Sequence, residues 1–460
     1  MKHTNDTLGR ASAARRATAG RLARLALLGT LLGPVACSPD EILDVPDPDV
    51  ATPESVQDVA ALPALRAGAI GDFALAFGSS NTTEDGLILY TGLFTDELQW
   101  AETFPTREQI DRRSIEEVNA TMTGLYLNLQ RARAAAERAN DTFQRLQPGT
   151  AAQAEMLNIA GFSYILFGET YCSGVPYSTL ALTGQATYGE RTTTQQTFEL
   201  AIARFDSALK VLGTQSTTAA NQQRNLAQVG RGRALLNLAR FPEARQAVAG
   251  VPTAFDYQLA YSENSARQQN GVFVTNAINR RFSVSANEGT NGLPFRADND
   301  PRVAAPRGTG GAATGFDGAT PLFIASKYGS RSAPISLANG VEARLIEAEA
   351  QLRAGDAAAS LASLNTARGT VTGLTPLTAA ATEAGRVDQL FRERAYHLFL
   401  TGHRLGDLRR LVRQYGRSAE SVFPTGAFFK GGAYGTDVNF PIPFEERNNA
   451  SFQGCINRQA

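Results

Sequence analysis

The sequence predicts a mostly α-helical protein built from stacked helix pairs, with a loop-rich C-terminal part that holds few strands. Apolar residues recur at helical spacing through much of residues 54–255. Between residues 256 and 338, by contrast, Gly, Asn and Thr become frequent and the helical period fades. The chain has 460 residues, of which 43% are hydrophobic and 19% charged. This composition is typical of a folded globular protein and excludes disorder over most of the length.

The first 36 residues have the pattern of a secretory signal. Six basic residues end at Arg24, and twelve uncharged residues follow from Leu25 to Ala36. Twelve residues are too few to span a bilayer, which takes about 20, and basic-then-apolar order is that of a signal peptide. Residues 1–36 are therefore interpreted as a signal peptide, the alternative being a buried amphipathic helix. We expect no other segment to span a membrane.

Cys37 comes directly after this segment. Residues 34–37, Pro-Val-Ala-Cys, resemble the lipobox of bacterial lipoproteins, although Leu is commonest where Pro34 stands. Acyl chains on Cys37 would hold the protein at a membrane surface. The acidic residues Asp40 and Glu41 resemble a surface-export signal of Bacteroidetes-type lipoproteins. Residues 37–53 are thus predicted to be a lipid-anchored tether, and the expected location is the outer membrane, facing the cell exterior.

Charge and cysteine content narrow the possible partners. Without residues 1–36, the chain has 38 basic and 43 acidic residues, which argues against a nucleic-acid partner.

Cys172 and Cys455 remain once Cys37 is assigned to the lipid. An even pair in an exported protein predicts a disulfide, with two unrelated thiols as the alternative. Three cysteines this far apart cannot form a structural zinc site, and no metal is expected.

Helical periodicity predicts most of the elements in order. Pro63 is expected to kink or split the first helix, and Ser114 with Glu117 has the pattern of a capping box. The expected helices span 54–78, 115–146, 151–171, 194–213 and 384–414, and short strands are expected at 271–275 and 322–326.

Two further segments are predicted to form helix–turn–helix repeats. In residues 227–244, small residues allow close helix packing and Pro242 suits the first turn of the second helix. In residues 341–368, Gly355 fits a helix C-terminal cap and Asp356 an N-cap. Both segments resemble tetratricopeptide repeats. Helix pairs of this kind stack into a scaffold with a concave face, which indicates binding more often than catalysis.

Five segments behind the lipobox form a pattern by their order and spacing. They are Leu43-Asp-Val-Pro46, Asp300-Pro-Arg-Val303, Lys327-Tyr328 with Ala333-Pro-Ile335 and Arg344–Ala350, Arg392–Arg409 with its Gly402-His-Arg404, and Asn439-Phe-Pro-Ile-Pro443 followed by Glu446 and Asn449. No single piece is specific, but together they resemble the SusD/RagB family of outer-membrane nutrient-binding lipoproteins. The resemblance spans essentially the whole mature chain. His397 and Thr401 stand where the family usually has Glu, which implies an altered buried ion pair.

The resemblance implies a fold, a partner and a ligand class. The implied fold is a SusD-like α-α superhelix of tetratricopeptide-like helix pairs. Its N-terminal part would be residues 54–255 and its RagB/SusD C-terminal part residues 256–460. The implied partner is a SusC-like TonB-dependent transporter. The implied substrate is an oligosaccharide, or a peptide in the RagB branch.

Catalytic and cofactor motifs are absent from the sequence, so we expect neither an enzyme nor a cofactor. His397 and His403 lie six residues apart, not at the i, i+4 spacing of metal ligands on one helix face. There is no Gly-x-Ser-x-Gly elbow and no phosphate-binding loop. The adjacent acids Asp96 and Glu97 leave a secreted glycosidase as a minor alternative.

Ligand binding is expected at aromatic residues, because sugar rings stack on flat aromatic faces. Trp100, the single Trp, is the first predicted contact, Phe104 the second and Tyr328 a third. Trp100 could equally be a core or partner-facing residue. The predicted function is capture of a nutrient, an oligosaccharide, for the transporter. The alternatives are a peptide-binding lipoprotein of the RagB type and a ligand-free envelope scaffold.

Overall fold

Helices form most of the structure, as the sequence predicts. The computed structural model of the chain describes residues 58–83, 86–180 and 185–460, which belong to one compact unit. The predicted signal peptide and tether, with Cys37, lie outside these residues. The boundary at residue 255 between the N-terminal and C-terminal parts remains a prediction from the sequence.

The described elements are numbered in chain order. The helices are α1 Leu62–Gly78, α2 Leu87–Phe94, α3 Pro105–Asp111, α4 Ala120–Leu146, α5 Ala151–Thr170, α6 Thr194–Leu212, α7 Thr218–Asn237, α8 Phe241–Val248, α9 Gly271–Phe273, α10 Gly340–Arg353, α11 Ala357–Arg368, α12 Glu383–His397, α13 Arg404–Tyr415 and α14 Ala419–Val422. The strands are β1 Leu98–Trp100, β2 Val175–Pro176, β3 Thr179–Leu180, β4 Ala186–Thr187, β5 Arg191–Thr192, β6 Asp256–Leu259, β7 Phe282–Val284 and β8 Ile335–Asn339. They pair antiparallel in two-stranded sheets, β1 with β7, β2 with β5, β3 with β4 and β6 with β8.

Successive long helices pack against one another in a row. Helix α4 packs on α5, α5 on α6, α6 on α7, α7 on α8, α8 on α10, and α10 on α11. Glycines at the contacts allow the close approach that the sequence predicts. A Cβ on Gly161 of α5 would lie 2.7 Å from the ring of Phe205, and one on Gly230 of α7 would lie 2.3 Å from the same ring. The mostly α, helix-pair fold class is therefore confirmed.

Helix α1 bears on two expectations. The predicted helix is split just before Pro63, into a 3₁₀ turn over Val59–Ala61 and α1, but Pro63 does not kink α1, because it lies in the first turn, where its missing N–H costs no hydrogen bond. Residues Val59–Gly78 are also long and apolar enough to cross a membrane by length and composition, contrary to the expectation that no segment after the signal peptide would be. Here the helix packs on α4 and buries Phe73 and Phe77.

Helix α4 begins later than expected. Asn119, not Ser114, is its N-cap, and its side chain accepts a hydrogen bond from the amide of Met122 at 3.2 Å. The expected capping box is therefore wrong. The Asn119 side chain also donates to the carbonyl of Thr106, so the cap ties α4 to α3.

Both helix–turn–helix repeats form as predicted. Pro242 lies in the first turn of α8. Gly355 has φ +83°, a left-handed conformation that favours glycine after a helix. Asp356 caps α11 by accepting from the amide of Ala359 at 2.9 Å.

The predicted helix at 384–414 is two helices, α12 and α13, because the backbone between them is bound elsewhere. The amide of Leu400, a residue at φ +50°, donates to Glu97 at 2.9 Å. The carbonyl of Leu400 accepts from the hydroxyl of Tyr328 at 2.9 Å. These distant partners replace the local bonds that would continue a helix.

The expected strand at 271–275 is wrong as well. These residues are helical, in α9 and in a π-helical turn over Val274–Ile278, and Asn270 caps them by accepting from the amide of Phe273. Residues 322–326 form no strand of a described sheet. Phe323 makes only an isolated antiparallel bridge with Arg307, and its carbonyl accepts from the amide of Val284 at 3.1 Å.

Candidate functional site

Loops from three distant parts of the chain meet beside strand β1. The amide of Ala101 donates to the carbonyl of Arg281 at 2.8 Å, which extends the β1–β7 pairing by one residue. The amide of Asp317 donates to Ala101 at 3.1 Å, and that of Phe316 to Arg280 at 2.8 Å. Backbone hydrogen bonds therefore hold the loop after β1, the segment before β7 and the glycine-rich 315–320 loop in one place.

Three half-exposed phenylalanines lie at this junction, and we call them the aromatic surface. Phe104 and Phe316 contact Arg281, and Phe429 lies 5.6 Å from the Lys430 ammonium, which binds Asp317. The exposed fractions are 46% for Phe104, 50% for Phe316 and 42% for Phe429. Such fractions are unusual for large apolar side chains grouped at one place, and they often mark a binding surface.

Arg281 connects two of these rings. Its guanidinium carbon lies 4.9 Å from the ring centroid of Phe104 and 4.8 Å from that of Phe316. Cation–π attraction of this kind holds the two rings in fixed positions relative to the guanidinium. About half of each phenylalanine stays exposed beside these polar groups, and apolar ring surface next to polar groups is the chemistry that sugar rings need.

Glu102 holds Arg281 and Arg107 in place beside the aromatic surface. Its carboxylate is buried and accepts from Arg281 at 2.7 Å and from Arg107 at 3.0 Å. Burial raises the pKa of Glu102, and the attraction of the two arginines opposes that rise. Arg107 also lies 5.1 Å from the centroid of Phe104, so one carboxylate orients both cations that contact this ring.

Trp100 lies below the aromatic surface, with 7% of its surface exposed. Its amide donates to Asp111 at 2.7 Å, and the Lys430 Nζ atom stands 3.8 Å from its ring centroid. Lys430 also donates to Asp317 at 2.5 Å. A ligand could stack on this ring face only after Lys430 moved, so the predicted role of Trp100 as a contact stays a prediction.

Phe104 and Tyr328 lie in different surroundings. Phe104 belongs to the aromatic surface. Tyr328 is 4% exposed, and its hydroxyl donates to Leu400 between α12 and α13. The structure therefore does not bring Tyr328 to the aromatic surface, and its predicted ligand contact has no support in this geometry.

The adjacent acids Asp96 and Glu97 belong to the core. Asp96 accepts two hydrogen bonds from Arg404, both at 2.6 Å, and is 1% exposed. Burial raises the pKa of Glu97 to about 8, although its hydrogen bond from Leu400 opposes that rise. Neither carboxylate faces solvent, so the pair does not form an open hydrolase site.

His397 and His403 are likewise enclosed. His403 stands with its Nε2 atom 3.0 Å from Glu342. Burial and the charges of Arg302 and Arg368 lower the pKa of His397 to about 3. In residues 58–83, 86–180 and 185–460, no group of three or more His, Cys, Asp or Glu side chains could hold a metal ion.

Cys172 and Cys455 form a disulfide in the structure. Their Cα atoms lie 6.0 Å apart across 283 residues of sequence. The bond ties the last residues of the chain to the segment after α5. The predicted lipid site, Cys37, lies outside the described residues.

Sequence reasoning missed Arg281, Phe316, Phe429 and Lys430. Each comes from a loop, and only the fold brings these loops beside Phe104. The sequence did contain a signal for two of these four residues. Phe316 and Phe429 both lie in glycine-rich loops, Gly315–Gly318 and Phe428–Gly432, where no helical or strand pattern accounts for an aromatic residue.

No protein-family model matches the chain, and no curated protein matches it. Solved structures do match. A SusD superfamily protein from Bacteroides thetaiotaomicron shares 16% identity at a TM-score of 0.65, over 86% of this chain and 100% of that chain. A SusD/RagB family protein from the same species shares 15% identity at a TM-score of 0.61, over 84% of this chain and 93% of that chain. A SusD-like carbohydrate-binding protein from Bacteroides vulgatus shares 15% identity at a TM-score of 0.56, over 76% of this chain and 82% of that chain. Likeness at this level of identity establishes the fold, and it confirms at that level the resemblance that the motifs indicated.

Proposed function

We propose that this protein, which has the SusD-superfamily fold, is an outer-membrane lipoprotein that captures an oligosaccharide at the cell surface. It delivers the oligosaccharide to a SusC-like TonB-dependent transporter. The anchor is the acylated Cys37, and the protein binds its ligand without breaking bonds in it.

The aromatic surface is the observation that carries the proposal. Two half-exposed rings, Phe104 and Phe316, are held by one guanidinium, and a third, Phe429, lies close to the same junction. Aromatic faces bind the apolar side of a pyranose ring, and the neighbouring polar groups bind its hydroxyls. The carbohydrate-binding description of one protein with the same fold supports this ligand class.

Glycan binding by the purified protein tests the proposal. We expect Phe104→Ala and Phe316→Ala each to weaken binding about tenfold, since each removes one stacking face worth about 1 kcal/mol or more. Phe444→Ala is the matched control, because Phe444 is 50% exposed on a short helical turn of residues 444–448, outside the aromatic surface. Isothermal titration with the best glycan from an array gives the comparison.

Three outcomes separate the candidate functions. Glycan binding that both site variants weaken supports the proposal. Binding of peptides but not glycans would replace the oligosaccharide with the peptide alternative. Binding that the Phe104 and Phe316 variants leave unchanged would move the site away from the aromatic surface.

A further inference from the structure

Residues 426–434 form a tight hairpin whose tip carries Phe429 and Lys430. Ala427 bridges to Ala433, and the amide of Phe428 donates to the carbonyl of Gly432 at 3.0 Å. Gly431 and Gly432 have φ of +96° and +78°, backbone conformations that residues other than glycine rarely adopt. The hairpin therefore has a defined shape of its own, and Lys430 extends from its tip.

The Lys430 ammonium lies between Trp100 and Asp317, which come from other parts of the chain, and beside the ring of its neighbour Phe429. It stands 3.8 Å from the Trp100 centroid and 2.5 Å from Asp317 Oδ2, with the Phe429 centroid at 5.6 Å. An aromatic face, a carboxylate and a second ring together form a cage for a small cation.

The carboxylate of this cage is fixed in place without Lys430. Asp317 accepts from the amides of Ala319 and Thr320, both at 2.9 Å, and from the Thr320 hydroxyl. Burial opposes ionisation of Asp317, but these bonds and the one from Lys430 lower its pKa to about 2. The group is an anion across the physiological range.

The hairpin is also held without Lys430. Arg112 donates to the carbonyl of Gly431 at 2.8 Å, and its guanidinium carbon lies 4.1 Å from the Phe428 centroid. Tyr434, at the end of the hairpin, is hydrogen-bonded to Glu288. The Lys430 side chain can therefore leave the cage while the hairpin stays in place.

A second observation concerns the edge of the same indole ring. The indole nitrogen of Trp100 is buried and has no hydrogen-bond partner among the residues that the structure describes. A buried N–H without a partner is uncommon and costs free energy. Because an N–H donates, it would be satisfied by an oxygen acceptor at the ring edge, such as a sugar hydroxyl, and not by the ammonium itself.

We propose that the space between Trp100 and Asp317 binds the ammonium group of an unacetylated amino sugar, and that Lys430 fills it as an internal competitor. The proposal rests on the proposed function and names the ligand class for one subsite of it. A ligand ammonium would take over both the contact with the Trp100 face and the ion pair with Asp317. Because Lys430 is tethered beside the cage, its effective concentration there is high, and it lowers the affinity for a free amine.

The single Trp makes this test direct, because Trp100 fluorescence reports on the cage. We would titrate methylammonium into wild type and Lys430→Ala. The expected half-saturation is at least tenfold lower in the variant, and Asp317→Asn in the same background should abolish the response. Lys210→Met, at an exposed position of α6, should behave as wild type. Acetamide, which carries no charge, should produce no response. Equal half-saturation in wild type and Lys430→Ala would overturn the proposal.

Oligosaccharides then separate this subsite from the proposed function itself. Lys430→Ala should bind glucosamine oligomers about tenfold more tightly than wild type, with no gain for N-acetylglucosamine oligomers. Equal gains for both would overturn the amine subsite and leave glycan capture intact. A methylammonium response without binding of any glycan would support the cage while contradicting glycan capture. A gain only for lysine peptides would assign the amine to a peptide and reject the amino sugar. Lys430→Ser, with thermal melting as a check on folding, replaces Lys430→Ala if that variant does not fold.

Discussion

Arg404 holds Asp96 with two hydrogen bonds of 2.6 Å, Nε to Oδ1 and Nη2 to Oδ2, across 308 residues of chain. Both side chains are buried, and Asp96 also accepts from the amide of Leu293 at 2.8 Å. Asp96 lies two residues before β1, which ends at Trp100. The pair thus connects the first turn of α13 to the strand that leads into the aromatic surface.

Arg404→Ala should lower the free energy of unfolding by about 3–5 kcal/mol, because it leaves the Asp96 charge buried without its partner. Urea denaturation measures the change. Arg231→Ala is the control, since Arg231 pairs with Asp206 at 2.7 Å on the surface and such pairs contribute about 0–1 kcal/mol. Equal small losses in both variants would contradict the role assigned to the Arg404–Asp96 pair.

Stability should depend on pH through Glu97. Burial raises its pKa to about 8, so the folded protein binds this proton more tightly than the unfolded chain does. The resulting stabilisation is complete below the ordinary glutamate pKa and is lost as pH rises towards about 8. Relative to wild type, Glu97→Gln should therefore become more stable between about pH 5 and about pH 8, by up to about 1.4 kcal/mol per pH unit.

Urea denaturation of both proteins at each pH checks this. His397, whose pKa is lowered by burial to about 3, is present in both proteins and cancels. Lys327 does not cancel, because the charge of Glu97 raises the pKa of Lys327, which burial lowers to about 8, and the charge of Lys327 opposes the rise at Glu97. The comparison therefore reports on Glu97 together with its effect on Lys327. A difference that stays constant with pH would show that Glu97 is ionised in the folded protein.

Loss of the disulfide should destabilise the protein. Cys172→Ser with Cys455→Ser is expected to lower the free energy of unfolding by about 2–5 kcal/mol, since the bond limits the freedom of the unfolded chain. Dithiothreitol should have the same effect on wild type and none on the double variant. Alkylation of both cysteines in protein that was never reduced would show that the bond is absent.

Local signals were enough to predict many of the helices. The pattern Gly355-Asp356 marks the junction of α10 and α11, because left-handed glycine and an Asp N-cap act within a few residues. The split between α12 and α13 has no such local signal. It depends on Glu97 and Tyr328, which bind the backbone of Leu400 from about 300 and 72 residues away.

The candidate site shows the same difference between residues marked by local sequence signals and residues whose roles depend on long-range contacts. Phe104 could be predicted because an aromatic loop residue after the first helices stands out locally. Arg281, Phe316 and Lys430 could not, because their roles depend on distances between loops that only the packed helices determine. The same packing covers Trp100 with Lys430, which no property of the Trp100 segment indicates.

Purification from native membranes in mild detergent, followed by mass spectrometry, tests whether the protein works with a transporter. We expect a stoichiometric TonB-dependent β-barrel in the purified material, together with acylated Cys37. Cys37→Ser is the control, and it should be released from washed membranes. Recovery of the intact lipoprotein without a barrel, or with envelope assembly factors in its place, would contradict the uptake role and leave the SusD-like fold serving as a scaffold.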